Sequence, residues 1–257
     1  MVKTTLNNGI PMPLLGLGVY DMYKAEAEQA VEDALAIGYR LIDTASMYEN
    51  EVEIGNAIKN AGLDRKEIFL TTKLNNTDHG YEAALKAFDD SLKKLGQDYV
   101  DLYLIHWPIK EGRAASWKGL EKLYAEKTLL EELKLTANIV PTVNQIEFSP
   151  WLYQEDLLAY CKAAGIQVQS YSPITRGLKF SDERLVLICN KYNRTPAQIV
   201  LNWHLQHGIS TIPKSSKKER LVENFDATSF TLSNEDVKIM NGFNENFRIC
   251  DDPQTYL

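Results

Sequence analysis

Short apolar runs and longer stretches of helical period alternate along this chain. Near the start, Asn8-Gly9 lies between Thr4-Thr5-Leu6 and Ile10-Pro11-Met12, a strong two-residue hairpin signal. Leu14-Leu15-Gly16-Leu17-Gly18-Val19 reads as an apolar strand with glycines. From Lys24 to Ile37 the residues Ala27, Ala30, Val31, Ala34 and Leu35 share one helical face, and Gly38 stops the helix. A strand Tyr39-Arg40-Leu41-Ile42 ends at Asp43. A helix from Asn50 to Ala61 follows, with Val52, Ile54, Ala57 and Ile58 apolar. The run Ile68-Phe69-Leu70-Thr71-Thr72 ends at Lys73, and an amphipathic helix spans His79 to Leu95. Val100, Leu102, Leu104 and Ile105 form the next strand, which stops at His106 before Pro108. A helix from Ala114 to Lys127 completes the first half.

The second half resumes the rhythm. Strands are predicted at Pro141–Glu147, Ile166–Ser172 and Ile209–Ile212, and helices at Gln154–Ala164, Ser181–Tyr192, Lys217–Phe225 and Asn234–Asn241. Another helix opens at Thr195-Pro196-Ala197-Gln198, an N-cap followed by proline at the first position, and runs to His204 or beyond. No linker and no shift of composition marks a boundary, so residues 1–257 read as one α/β domain, a (β/α)8 barrel. The rhythm breaks once. The helix ending near Lys127 runs into Thr128 to Leu135, also helical in pattern, and only seven barrel strands follow the hairpin. Two consecutive helices leave a parallel sheet without its right-handed return. Either the barrel is irregular here, or the fifth strand and its loop were left out of the chain as written; the second is favoured.

Composition adds limits. With 44% hydrophobic and 25% charged residues, the chain is of ordinary globular type. Cys161, Cys189 and Cys250 are odd in number and unpaired in spacing, which indicates neither a disulfide framework nor a zinc site. The start lacks the apolar run of a signal peptide, and no stretch is apolar enough to span a membrane, so a cytoplasmic protein is expected. The net charge of −7 argues against general nucleic-acid binding.

Candidate chemistry gathers where the strands end. Asp43, Lys73 and His106 stand at the carboxyl ends of three successive strands, the edge on which α/β proteins build their sites. Tyr48 follows in the loop after Asp43. Alone, each has a structural explanation: a cap, a core-edge ion pair, packing, a satisfied histidine. Together they make a site that polarises a ketone or aldehyde. Asp43 supplies the charge that a half-buried Lys73 needs, and the ammonium is expected to lower the Tyr48 pKa towards the working range. His106 can hold the carbonyl oxygen. No metal is required.

For phosphate, Gly16-x-Gly18 opens like a dinucleotide fingerprint, but Asp21 stands where Gly or Ala belongs and that reading fails. Lys214-Ser215-Ser216-Lys217-Lys218-Glu219-Arg220, after the last strand and leading into a helix, is the better candidate. Its cations suit an extra phosphate. Tyr171 could stack on a flat ring and Gln145 could bond a carboxamide; both could equally be packing at the barrel mouth.

These stretches resemble the aldo-keto reductases. The matching residues are Gly38–Ala45 with Tyr48 and Glu51; Thr71-Thr72-Lys73; Leu95-Gly96 with Tyr99 to Pro108; Val143-Asn144-Gln145; Tyr171-Ser172-Pro173; and Ile212-Pro213-Lys214-Ser215 with Arg220, Glu223 and Asn224. They look most like the branch of prostaglandin F synthase and 2,5-diketo-gluconate reductase. The resemblance implies a TIM barrel closed below by the hairpin, NADPH extended across its top, and a monomer. It implies a tetrad of Asp43, Tyr48, Lys73 and His106, with Tyr48 as general acid. Gln145, Tyr171 and Ser172 would meet the nicotinamide, Lys214, Ser215 and Arg220 the 2′-phosphate, and Glu223 and Asn224 the adenine. Val19, Tyr20 and Trp107 would line the pocket, and Ile174–Leu178 lies where a cofactor-clasping loop belongs. The family's fifth-strand motif, Gly-Val-Ser-Asn-Phe, whose Ser and Asn help hold the carboxamide, is missing; it should lie between Lys127 and Thr128, where the strand count fails.

The implied activity is NADPH-dependent reduction of aldehydes or ketones to alcohols. The rivals are a Schiff-base enzyme using Lys73 and a non-catalytic NADP(H)-binding module that senses redox state.

Overall fold

The first two strands explain how the barrel floor is closed. In a computed structural model, which describes residues 2–128 and 139–256, β1 (Lys3–Thr5) pairs antiparallel with β2 (Pro11–Pro13). The connection is longer than Asn8-Gly9 alone. Leu6 N–H donates to Ile10 O and Gly9 N–H to Leu6 O, both at 2.9 Å, with Gly9 at φ 83°. Asn7-Asn8-Gly9 thus forms a three-residue loop, in which glycine takes the left-handed position. The hairpin delivers Leu6 and Met12 into an apolar layer with Leu41, Phe69, Leu102 and Val143.

The predicted alternation of strand and helix then runs as expected, mostly within two residues of the predicted ends. The order is β3 (Leu17–Gly18), α1 (Lys24–Ile37), β4 (Leu41–Asp43), α2 (Glu51–Asn60), β5 (Phe69–Leu74), α3 (Tyr81–Leu95), β6 (Leu102–Ile105) and α4 (Arg113–Thr128). Past the undescribed residues come β7 (Val143–Glu147), α5 (Glu155–Ala163), β8 (Gln167–Tyr171), α6 (Glu183–Tyr192), α7 (Pro196–Gln206), β9 (Ser210–Thr211), α8 (Lys218–Phe225) and α9 (Asn234–Asn241). Thr195 and Gln198 form a reciprocal capping box on α7 with Pro196 at its start, as the sequence pattern requires.

Strand residues alternate between two environments. Leu41 and Phe69 join the layer above the hairpin, whereas Ile42 and Leu70 pack outward with Ala27, Val31, Ile54 and Ala57 of α1 and α2. A second helix-facing core holds Phe148, Trp151, Val168, Ile199 and Trp203. Two glycines are forced by close approach. A Cβ on Gly55 would lie 2.1 Å from Leu95 O, and one on Gly18 would lie 2.8 Å from Ile212 O.

All barrel strands are parallel, in two sheets ordered β3-β4-β5-β6 and β7-β8-β9. A parallel bridge between Leu15 and Thr211 joins the sheets, with Gly16 N–H on Thr211 O (2.9 Å) and Thr211 N–H on Leu14 O (2.8 Å). The wall is therefore a (β/α)8 barrel short of one strand, with a seam between β6 and β7 that no pairing closes among the described residues. The chain runs without a break through Lys127 and Thr128 inside α4, and among the described residues no strand stands between β6 and β7. The second helix expected from Thr128 to Leu135 falls, beyond Thr128, outside the described residues.

Candidate active site

Lys73 is the centre of the site because parity puts it there. Along β5 the residues Phe69, Thr71 and Lys73 share one face, and Thr72 turns outward to donate to Glu51 Oε1 at 2.7 Å. Lys73 is 2% exposed, a position an ammonium tolerates only when fully partnered. Its Nζ donates to Asp43 Oδ1 at 2.5 Å, to Thr44 O at 3.0 Å and to Tyr48 Oη at 3.2 Å. The fourth expected residue joins through Tyr48, whose Oη lies 3.5 Å from His106 Nε2. The four residues that the sequence pointed to are therefore contiguous.

Neighbouring backbone and side chains hold Tyr48 in place. It ends a 3-10 turn, Ser46–Tyr48, and Ser46 Oγ donates to Lys73 O at 2.9 Å. Asn50 is fully buried. It accepts from Thr44 Oγ1 at 2.7 Å and donates to Val19 O and Met22 O at 2.9 and 3.0 Å. One amide thus ties together β4, the Tyr48 loop and the loop leading to α1. Sequence reasoning passed over Ser46 and read Asn50 only as a helix start.

Burial dominates the electrostatics. It disfavours the Lys73 ammonium, but Asp43 and Tyr48 outweigh it and the pKa ends above the ordinary value. Burial raises the Tyr48 pKa, and the opposing pull of Lys73 does not offset it. This corrects the expected lowering: the phenol keeps its proton at neutral pH. His106 falls to about 3, chiefly through burial and then through the Lys73 charge, so its ring is neutral. Its Nδ1 has no partner among the described residues, which favours the tautomer with the proton on Nε2, facing Tyr48.

Around this core the remaining expected residues separate into two regions. Val19 is buried, its N–H on Asp43 O at 3.1 Å, while Tyr20 is 56% exposed and meets the Tyr48 ring edge-on at 5.2 Å. Trp107 stacks parallel to His106. Tyr171 ends β8 with its hydroxyl unpartnered among the described residues, and Ser172 follows at φ 49° with Oγ 3.9 Å from Cys250 Sγ. Thr175 and Arg176 are also left-handed, so the stretch Ile174–Leu178 leaves the strand by a strained turn. The Glu147 carboxylate, which sequence reasoning missed, accepts from Ile249 N–H (2.6 Å) and Cys250 N–H (3.0 Å) and draws the C-terminal stretch to the barrel mouth. Gln145 does not stand apart for a ligand: its Nε2 donates to Asp43 Oδ2 at 2.7 Å and to Gln169 Oε1 at 2.8 Å.

The basic stretch lies at the start of α8. Ser215 is buried and its Oγ accepts from Lys217 N–H at 3.2 Å. Lys218 is spent on Asp33 at 2.8 Å, but Lys214, Lys217 and Arg220 are exposed and make no ion pair among the described residues. Asn224 is buried and Glu223 half-buried on the same helix. These cations lie just past β9, which bridges to Leu15 ahead of β3, and the tetrad begins at Asp43 on β4, the strand paired with β3.

The chain is similar to known proteins over nearly its whole length. Residues 14–245 match the sequence profile described as the aldo/keto reductase family. The chain is 44% identical to the glyoxal reductase of Bacillus subtilis, over 98% of this chain and 96% of that one, and 39% identical to the methylglyoxal reductase DkgA of Escherichia coli, over 98% and 96%. The two alignments run for 265 and 267 positions, more than the 257 residues here, so relatives carry residues that this chain lacks. A crystal structure of a Gox0644 mutant in complex with NADPH superimposes with a TM-score of 0.90 at 34% identity, covering 99% of this chain and 98% of that one.

Proposed function

The chain belongs to the aldo/keto reductase family, and from that premise we propose that it reduces small aldehydes and ketones to alcohols with NADPH, using Asp43, Tyr48, Lys73 and His106. The observation that carries this reading is the unbroken contact from Asp43 through Lys73 and Tyr48 to His106, with a protonated phenol beside a neutral imidazole.

The residues fit the dinucleotide. Lys214, Lys217 and Arg220 offer a 2′-phosphate cations that have no counter-ion among the described residues, with Ser215 beside them, and Asn224 and Glu223 offer polar groups to an adenine. Tyr171 presents a ring whose hydroxyl has no partner among the described residues, next to Ser172, and Gln145 keeps a carbonyl oxygen for a carboxamide. When bound there, NADPH supplies a hydride to a carbonyl carbon. The protein's own part is the proton. Lys73, held charged by Asp43, lies against Tyr48 Oη and stabilises the phenolate that forms when Tyr48 gives its proton to the carbonyl oxygen. His106 Nε2–H donates to the same oxygen and orients it. Val19, Tyr20 and Trp107 wall the approach, and a pocket of this kind suits compact carbonyl compounds such as the α-oxoaldehydes for which the relatives are named.

The charged state of Lys73 speaks against a Schiff-base nucleophile. The alternative of a redox-sensing module is not supported, since the relatives are named as reductases. We further read the chain as a single domain that acts as a monomer in the cytoplasm; three free thiols suit a reducing compartment, and among the described residues no helix is long and apolar enough to cross a membrane.

The test is NADPH oxidation at about 340 nm with glyoxal or methylglyoxal as acceptor. Tyr48→Phe is expected to lose roughly 100- to 10,000-fold in kcat with NADPH affinity unchanged. Equal turnover by wild type and Tyr48→Phe would sink the assignment.

A further inference from the structure

One side chain inside the barrel is absorbed neither by the fold nor by the proposed chemistry. Gln169 is fully buried in the middle of β8, between Val168 and Ser170. A buried primary amide is costly unless its groups are bonded. Here Gln169 Oε1 accepts from Gln145 Nε2 at 2.8 Å, and Gln169 Nε2 donates to Ser210 Oγ at 3.2 Å. Ser210 in turn donates to Pro13 O at 3.2 Å, on the floor hairpin. On the other side Gln145 Nε2 donates to Asp43 Oδ2 at 2.7 Å, and Asp43 is bonded to Lys73.

The direction of every bond in this row follows from its ends. A carboxylate and a proline carbonyl can only accept. Asp43 at one end therefore demands an N–H from Gln145, and Pro13 O at the other demands the hydroxyl proton of Ser210. Ser210 then accepts from the Gln169 amide nitrogen, which turns the Gln169 carbonyl towards Gln145. Both amide hydrogens of Gln145 are committed, one to Asp43 and one to Gln169. Its carbonyl oxygen is the one polar atom of that side chain with no partner among the described residues. Register places this pair beside the proposed nicotinamide site: Gln145 is opposite Gln169, and two residues on Glu147 is opposite Tyr171.

We propose that Gln169 is a positioning residue: it locks the Gln145 amide with its nitrogen on Asp43 and its carbonyl oxygen presented to the cofactor's carboxamide. The inference rests on the proposed NADPH site. In this chain it carries more weight because the sequence has no counterpart of the fifth-strand Ser and Asn that the family resemblance implies for that group. A single acceptor of fixed orientation remains, and it selects for a carboxamide N–H.

The experiment titrates tryptophan fluorescence of the intact protein with NADP+ and with its 3-acetylpyridine analogue, which has a methyl ketone where NADP+ has the amide. Wild type is expected to bind NADP+ roughly three- to tenfold more tightly than the analogue, the worth of one neutral hydrogen bond. Gln169→Leu, similar in size but without the acceptor, is expected to bring that ratio close to one. Ser210→Ala, which removes the group that orients Gln169, is expected to lower it as well and serves where circular dichroism shows that Gln169→Leu does not fold. Equal binding of the two dinucleotides by wild type overturns the inference, as does an undiminished ratio in the folded variants. Failure of wild type to bind either dinucleotide would instead remove the NADPH site itself, and the inference with it.

Discussion

At the scale of single residues, the site is a case of charge made tolerable by neighbours. Lys73 and Asp43 are both 2% exposed, and each is the other's main compensation. Lys73→Met would leave the Asp43 carboxylate buried with Gln145 as its remaining side-chain donor. It is expected to destabilise the protein by roughly 3–5 kcal/mol in urea unfolding, besides removing turnover. The buried histidines give the fold a pH dependence of definite sign. Burial lowers His106 to about 3 and His204 to about 4, against an ordinary value of 6.5. The unfolded chain therefore takes up protons that the native state refuses. Their stabilising contribution is complete above about pH 6.5 and declines as pH falls, until about 4 for His204 and about 3 for His106. The urea midpoint is expected to be lower at pH 5 than at pH 7.5, by an amount equivalent to roughly 2 kcal/mol per histidine. A midpoint that does not move would mean that these rings are not held neutral.

At the scale of elements, precision in the site comes from turns rather than from the strands that carry its residues. Tyr48 lies on a 3-10 turn, and Asn50 fastens that turn to β4 and to the loop after β3. Asn50→Ala strands the carbonyls of Val19 and Met22 in the interior, at about 1–3 kcal/mol each. Thermal unfolding should show the loss. KM for the carbonyl substrate is expected to rise too, because Asn50 holds Val19, proposed to line its approach, and Tyr20 leans on Tyr48. An unchanged KM would argue that the loop holds its position without this amide.

For the whole molecule, the main irregularity among the described residues is the open seam between β6 and β7. The β6 and β7 edges that face it lack ladder partners among the described residues, whereas β4, β5 and β8 are paired on both sides. Amide hydrogen exchange is expected to be faster in Leu102–Ile105 and Val143–Glu147 than in β5 and β8. Uniform protection would show that the seam is covered. NADPH, proposed to run along the β7-β8-β9 sheet from Lys214 past Tyr171 to Gln145, is expected to raise the thermal midpoint by roughly 5–10 °C at about 100 times its Kd. NADH, lacking the 2′-phosphate, should do less at equal concentration.

Sequence alone was sufficient for the order of the elements, because periods of 2 and 3.6, glycine stops and the Thr195-Pro196 start are local signals. It was sufficient too to bring Asp43, Lys73 and His106 to one edge, since each ends an apolar run and parallel strands align their ends. It also marked the place, near Lys127-Thr128, after which the strand rhythm breaks. Three things needed the tertiary structure. The sign of the Tyr48 pKa shift turns on how far burial outweighs one ammonium, which no spacing encodes. The Asn7-Asn8-Gly9 loop differs from a two-residue turn by one residue of pairing register. The row from Pro13 through Ser210, Gln169 and Gln145 to Asp43 joins residues 197 positions apart or fewer, all brought together when the sheet curves round on itself. Glutamines at 167 and 169, alternating on one strand, were the visible hint of a polar interior. Gln145 and Ser210 stand opposite Gln169 by register on neighbouring strands, and only the folding of the two sheets against each other brought Asp43 and Pro13 to the ends of the row.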